Sequence, residues 1–404
     1  MRAKTLLAKI LGLKATRVRG VSWSADGLIA EVAPSTRIAR CSSCMCRVRA
    51  IHDERERMWR HLDVGPFRVW LRYAVRRVRC GRCGVTVELV PWAEPQSWFT
   101  RDFEEHVGYL AQRADKTTVS TLMRIAWSTV GAIIERVVPR HRQGDPLDGL
   151  TQIGVDELSY RRHHEYVTVI VDHVRGGVVW AAPGKNAATL MSFFEELGKE
   201  RSAQLEAVTL DMSGAYLEAV TEASPQARVI FDRFHVQRLA HDALDSVRRE
   251  QVRGADPDDK RALKNSRFAL QKNPWNLSTL EAEKVAEVQK TNRPLYRAYL
   301  LKETLAAILD RGQVNVARQK LLEWIDWAAR SRLPPFCKLA RTVRGHLEGI
   351  LAYVATGLSN GRAEGLNGKI RTITRRSFGF HGAPSLIALI FLCCSDITLL
   401  PVHR

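Results

Sequence analysis

Along residues 67–80, FRVWLRYAVRRVRC, apolar and basic side chains alternate, which is the period-two signature of a strand with one buried face. The period changes after residue 100. RDFEEHVGYLAQRA sets Phe103, Val107, Leu110 and Ala111 on one face of a helix, and TTVSTLMRIAWSTVGAIIERVV keeps a helical period to residue 138. Two short helices and a longer one are expected, with Thr117 or Thr118 capping one and Ser128 preceding the last, an order that reads as helix-turn-helix. Gly, Pro and Asp crowd into RHRQGDPLDGLT (140–151), which marks a linker and the main boundary.

Beyond it the pattern predicts strands. TQIGVDELSY comes first, then the nearly continuous apolar run EYVTVIVDHV, suited to a central strand, then GGVVWAAPG, with Gly176 and Gly177 turning the chain between the last two. NAATLMSFFEELGKE spaces Leu190, Phe193, Phe194 and Leu197 as an amphipathic helix, LEAVTLD returns as a strand ending at Asp211, and after the helix AYLEAVTEA the strand ARVIF ends at Asp232. This order of elements matches a ribonuclease-H-like α/β core. Residues 236–355 read as mostly helical, and their Trp275, Trp324 and Trp327 stand among Lys and Arg, where they suit either stacking on unpaired bases or, more simply, a helical core.

Charge narrows the partners. The 404 residues, enough for two or three domains, carry 62 Lys and Arg against 43 Asp and Glu, a net charge of +19, and residues 1–100 alone hold 19 basic against 8 acidic side chains. Such a balance favours a polyanion, either nucleic acid or an anionic membrane surface. No apolar run approaches the roughly 20 residues of a membrane span, and the start MRAKTLLAKILGLKATRVRG is too weakly apolar for a signal peptide, so a cytoplasmic protein with no membrane partner is expected. Leu6, Leu7, Ile10 and Leu11 predict an amphipathic surface helix, docked or dimerising.

Five of the eight cysteines fall in CSSCMC (Cys41, Cys44, Cys46) and CGRC (Cys80, Cys83); Cys337, Cys393 and Cys394 lie in apolar surroundings. Two Cys-x-x-Cys knuckles aim four thiolates at one point, so Cys41, Cys44, Cys80 and Cys83 are candidate ligands of a structural Zn2+, provided that a hairpin through 67–80 returns the second knuckle to the first. The spacing also admits free thiols, a redox pair, or a set in which Cys46, His52 or His61 replaces one of the four.

The carboxylates carry the candidate chemistry. Asp156 in the first core strand and Asp211 at the end of the fourth become neighbours in a ribonuclease-H-like sheet, and two adjacent carboxylates repel unless cations lie between them. Two Mg2+ or Mn2+ ions relieve that repulsion and activate an oxygen nucleophile at a phosphodiester. Glu157 is expected on the opposite face of the strand, either supporting the metal ligands from behind or in a structural role. The stretch LSNGRAEGLNGKIRTITRRSFG offers one carboxylate, Glu364; on a helical wheel Ala363, Leu366, Ile370 and Ile373 share one face and Asn360, Glu364, Asn367 and Arg371 another. Each of the three acids alone suits an exposed or capping role; together with the strand order they suit metal.

GVDELSYRRHHEYVTVIVD, VTLDMSGAY, IFDRFHVQRLAHDALDSVRRE and SNGRAEGLNGKIR resemble the signature blocks of bacterial insertion-sequence transposases of the ISL-three group, a DDE-type family, and the resemblance spans nearly the whole chain. It implies a ribonuclease-H-like catalytic core with a helical insertion, preceded by a zinc-binding module and a helix-turn-helix: residues 1–95 the zinc-binding DNA-binding module, 96–145 the helix-turn-helix, 151–235 the first part of the core, 236–355 the insertion and 356–404 the last part. It places the family triad on Asp156, Asp211 and Glu364. Asp232 and His235, in DRFH, match an Asp-x-x-His element of related transposases, and equally suit a helix cap and a packed imidazole. Lys369, Arg371, Arg375 and Arg376 suit DNA phosphates or an ordinary solvated face. The implied activity is binding of the element's terminal inverted repeats in double-stranded DNA, cleavage of its ends by two-metal hydrolysis and joining of the 3′-hydroxyls to target DNA, by a homodimer. The alternatives are a non-catalytic DNA-binding regulator and a structure-specific nuclease.

Overall fold

A computed structural model describes residues 3–142, 144–161, 165–212, 214–359, 361–376 and 382–402, with the side chains of 3, 161, 258, 259, 262, 362–364 and 376 excepted. The chain divides into two compact units, residues 3–142 with 384–402 and residues 144–375.

In the first unit helix α1 (Ala3–Leu11) precedes strands β1 (Thr16–Ser24), β2 (Gly27–Pro34), β3 (Ala39–Arg40), β4 (Arg47–Val48), β5 (Ile51–Val64), β6 (Phe67–Cys80) and β7 (Gly84–Val87). The main sheet runs β1-β2-β6-β5, with β7 also on β6. The alternating stretch 67–80 is β6, and it forms a long antiparallel hairpin with β5, from Val64 opposite Phe67 to Ile51 opposite Val78. Its buried face is aromatic: Trp59 and Tyr73 meet Trp92 edge to face, with centroids 5.2 and 5.8 Å away. Leu11 of α1 is buried and Leu7 packs on this core, while Leu6 and Ile10 stay exposed.

Helices α2 (Arg101–Ala111), α3 (Lys116–Met123) and α4 (Trp127–His141) follow, two short and one longer. Their caps differ from expectation. Asp115, not Thr117 or Thr118, caps α3, accepting from the Thr117 and Thr118 backbone N–H groups at 2.9 Å, because its carboxylate, just before the first helical residue, is placed to reach the free N–H groups of the first turn. Ser128 lies inside α4, which starts after Ala126 without a side-chain cap. Arg124, left-handed at φ 53°, makes the turn between α3 and α4.

The second unit opens with β8 (Gln152–Arg161), β9 (Glu165–Asp172) and β10 (Gly177–Pro183), continues through α5 (Ala187–Leu197), α6 (Lys199–Ser202), β11 (Ala207–Leu210), α7 (Gly214–Ala223) and β12 (Arg228–Phe231), and enters α8 (Arg233–Gly254). The sheet order is β10-β9-β8-β11-β12, antiparallel across the first three strands and parallel across the last three, as expected of a ribonuclease-H-like core. Val167 to Asp172 of β9 are all buried, as a strand covered on both faces requires. Leu190, Phe193, Phe194 and Leu197 of α5 are buried in the same core.

The insertion is helical: α9 (Pro257–Asn265), α10 (Arg267–Gln271), α11 (Thr279–Thr291), α12 (Arg293–Leu309), α13 (Val314–Ala329), α14 (Pro334–Gly345) and α15 (Leu347–Thr356). Its apolar side chains merge with the sheet's in one core. Gly349 is where the two meet closely, since a Cβ there would fall 2.3 Å from the Phe231 ring. Trp324 is 1% exposed and its indole donates to the Leu301 carbonyl at 2.8 Å, so it is a core residue, whereas Trp275 is 73% exposed and Trp327 is 39% exposed.

The chain then forms α16 (Gly361–Arg376) and α17 (Ala383–Cys394). Residues 356–404 read in sequence as the last part of the core, but residues 384–402 pack with the first unit. Helix α17 is apolar almost all round, with Leu386, Leu389, Ile390, Leu392, Cys393 and Cys394 buried, and Gln112 of α2 donates to the Leu392 and Ile397 carbonyls at 2.7 and 2.9 Å. Such a helix needs cover on every side. Among the described residues, no helix is long and apolar enough to cross a membrane.

Candidate functional site

The hairpin β5–β6 delivers the second cysteine knuckle to the first. Cys80 ends β6, Gly84 at φ +74° opens β7, and the isolated bridge of Cys41 with Glu88 holds the first knuckle alongside. The sulfurs of Cys41, Cys44, Cys80 and Cys83 all lie within 4.8 Å of one another, and the Cys44 and Cys80 sulfurs are 3.5 Å apart. Zn–S bonds of about 2.3 Å set tetrahedral S···S separations near 3.8 Å, so this donor set fits zinc with no position left open. Backbone N–H groups of Cys44 and then Ser43 aimed at its sulfur hold the Cys41 thiol down at about 6, while hydrogen bonding to the Cys44 side chain holds the Cys83 thiol up, at about 12.

The three residues that spacing admitted as substitutes in the set have other partners. His52 accepts from the Arg79 guanidinium, His61 is buried with Nδ1 2.8 Å from the Thr100 hydroxyl, and Cys46 meets the knuckle through its carbonyl, which accepts from Cys41 N–H.

The acidic residues are gathered by strand register. Gly154 of β8 pairs with Thr209 of β11, and Leu210 pairs with Phe231 of β12, so Asp156, Asp211 and Asp232 follow at one level across three adjacent strands. Asp156 accepts from the Glu157 backbone N–H at 2.7 Å and from the side-chain amide of Asn367, one turn beyond position 364 on α16. Burial first, and then the neighbouring negative charge of Asp211, pushes the Asp156 carboxyl above its usual range, against the pull of the Glu157 N–H, His235 and Asn367.

Asp232 occupies the N-cap position of α8 but makes no side-chain cap bond; it is 2% exposed, and its Oδ2 has no partner among the described residues. A buried carboxylate oxygen left in that state is costly and suits a cation. His235, one turn into α8, is close enough to Asp156 to act on its charge and stacks edge-on to Phe234.

Glu157 stands closer to the chemistry than its expected place on the far face suggests. The Tyr216 hydroxyl of α7 reaches its Oε2 at 3.5 Å, and burial, followed by Asp211, raises its carboxyl pKa. Asn367 and Asp232 are the residues whose importance sequence periodicity understates: Asn367 fell on the polar face of its helix, yet it is 4% exposed and bound to Asp156. Ile370 and Ile373 of the same helix are buried, as its apolar face predicts. Arg371 and Arg375 are exposed, as is Lys369. The Glu364 and Arg376 side chains lie outside the described residues.

Three matches to transposase families cover most of the chain: residues 37–83 match the zinc-finger of transposase IS204/IS1001/IS1096/IS1165, residues 88–138 the helix-turn-helix domain of transposase family ISL3, and residues 153–390 the transposase domain of the same group. The transposase for insertion sequence element IS1557 of Mycobacterium tuberculosis is 40% identical over 97% of this chain and 96% of its own length. The transposase for IS1001 of Bordetella parapertussis is 28% identical over 94% of this chain and 95% of its own. The zinc-finger match and the four-sulfur cluster together support a structural zinc ion, and the helix-turn-helix and transposase domains support binding to DNA. The chain belongs to the ISL3 family of transposases.

Proposed function

We propose that this transposase binds the terminal inverted repeats of its own element, cuts the DNA at each end, and joins the freed 3′-hydroxyls to target DNA from one acidic site. The observation that carries the reading is the alignment of Asp156, Asp211 and Asp232 at one level of the sheet, with α16 tied to Asp156 through Asn367. Asp156 and Asp211, with Glu364 from α16, would hold two divalent magnesium or manganese ions. When bound, such ions activate the attacking oxygen and stabilise charge on the leaving one.

The chain's own groups position these carboxylates. Asn367 and the Glu157 N–H leave Asp156 little freedom to turn, Tyr216 orients Glu157, and His235 offsets part of the acidic charge. Asp232 adds a buried oxygen to the same level, as a further candidate ligand or a positioning group. Lys369, Arg371, Arg375 and Arg376 follow Glu364 on the same helix, where they would contact phosphates next to the cut. Two ends joined in concert call for a homodimer on DNA.

The test is incubation with a duplex carrying the terminal repeat, with Mg2+ or Mn2+. Wild type is expected to give nicked and joined products, and Asp156→Ala and Glu364→Gln to bind the repeat without cutting it. Binding without products from wild type would leave a DNA-binding regulator, and cleavage of branched DNA regardless of sequence would leave a structure-specific nuclease.

A further inference from the structure

Helices α3 and α4 carry no exposed positive charge of their own among the described residues; Arg113, just before α3, is exposed over the Tyr109 ring, and Arg124, between α3 and α4, is paired with Asp63. On α3 the exposed positions are Thr117, Thr118, Thr121 and Leu122, and on α4 Ser128, Ala132, Glu135 and Pro139. The arginines of α4 are committed inward: Arg136 pairs with Glu104 at 2.7 Å, and Arg140 with Glu104 and Glu105 at 2.6 Å each. A DNA-reading helix pair draws affinity from phosphate contacts, so in this unit most of the charge has to come from outside α3 and α4.

It is concentrated on the β-sheet. A groove of about 610 Å³ is lined by Arg17, Arg19, Arg37, Arg49 and Arg76, with Glu54 as the one acid. Arg17 and Arg19 point outward from the edge strand β1, and a register shift just after Val18 accompanies the second of them. Arg37 sits in the turn after β2, and Arg49 lies between the first zinc knuckle and β5. These four are exposed, and none has an anionic partner among the described residues. Arg76 is different in kind. It is 6% exposed, its Nε donates to Glu88 at 2.8 Å, and its Nη1 donates to the Arg37 carbonyl at 3.1 Å. The buried pair therefore fixes the turn that carries Arg37 onto the sheet, next to the cysteine cluster.

We propose that this groove clamps the phosphate backbone of duplex DNA, with Arg17, Arg19, Arg37 and Arg49 each neutralising a phosphate, while α3 and α4 contribute base contacts. Guanidinium groups suit this task because their planar fork matches phosphate oxygens. The proposal deepens the reading of the chain as a DNA transposase, but it concerns sequence-independent affinity and is tested apart from end recognition and cutting.

The experiment measures binding of the full-length, zinc-loaded protein to a random-sequence 30-base-pair duplex by fluorescence anisotropy, from 50 to 200 mM salt. Each lost phosphate contact lowers the slope of log K against log salt by about 0.9. Arg17→Gln/Arg19→Gln is expected to flatten the slope by about 1.8 and to weaken binding on the order of tenfold at 100 mM salt. Arg17→Lys/Arg19→Lys should keep the slope. Lys284→Gln/Lys290→Gln, which removes the same charge from exposed positions of α11, should leave it unchanged. Should the first variant lose its zinc or its thermal transition, Arg37→Gln/Arg49→Gln provides the same readout. An unaltered slope in a folded groove variant, or equal flattening in the α11 variant, overturns the proposal. Loss of cutting with an intact slope in wild type would count against the proposed function alone.

Discussion

The cysteine cluster and the acidic site both bring like side chains together, but they do so over different distances along the chain. Cys44 and Cys80, 36 positions apart, meet at the two ends of one hairpin system, and the knuckle turns themselves aim the sulfurs. Asp156 and Asn367 are 211 positions apart and meet only because a parallel strand register and a docked helix both hold. The first arrangement is closed and hydrogen-bonded by its own backbone. The second is held by one amide and one N–H, and raised in energy by burial and by its own charges. A closed set of four thiolates suits a structural role, whereas carboxylates that repel one another are what the proposed reaction would need to hold its cations.

Breaking the cysteine cluster should have the larger effect. Cys80→Ser removes a ligand whose site stabilises the first unit, and structural zinc binding is worth roughly 10–16 kcal/mol in small zinc modules. Loss of bound zinc and of that unit's cooperative thermal transition is expected, with the transition of residues 144–375 retained, as read by metal analysis and calorimetry.

Asp156→Asn should leave the fold intact and abolish cutting by at least about 10³-fold, equivalent to about 4 kcal/mol of transition-state stabilisation. Because it also relieves repulsion with Asp211, it should raise the melting temperature measured without added Mg2+; a lower one would show that the carboxylates are not in conflict.

A buried charge of the opposite sign sharpens the comparison. Lys116 of α3 is 3% exposed, with its ammonium 3.3 Å from the Trp127 ring centre, and burial pushes its pKa down to about 8. Between pH 8 and 10.5 the unfolded chain then binds the proton more readily than the folded one, so stability rises with pH across that window. Lys116→Met should remove this rise and add up to about 3 kcal/mol at neutral pH, measured by urea unfolding. The smallest expected effect is that of Asn367→Ala, a loss of about 10 to 100-fold in cutting with DNA affinity unchanged, as follows when a ligand's orienting partner is removed.

Much of the second unit is legible in its sequence, because strands buried on both faces read as unbroken apolar runs and α5 repeats its apolar residues at helical spacing. The place of Asp232 at the end of its strand is legible for the same reason. Its unpartnered buried oxygen is not, since that depends on what packs around it. Periodicity sets Asn367 on the Glu364 face of its helix, but it does not name Asp156 as the partner or show that the amide is buried, because it assigns a face and not the neighbour opposite it. Several residues around the start of α3 have capping side chains, so sequence alone does not single out Asp115 over Thr117 or Thr118, and the return of α17 to the first unit leaves no local trace beyond its all-round apolarity.

The amino-acid order by itself determined the elements, the two cysteine knuckles and the acids that end the strands, because each depends on side-chain period or on turn chemistry within a few residues. Tertiary structure alone decided which sulfurs converge, which carboxylates share a level, which arginines face the groove beside the zinc module, and which unit receives the last helix. Those outcomes turn on strand register and desolvation between segments far apart in the chain, and no local pattern encodes them.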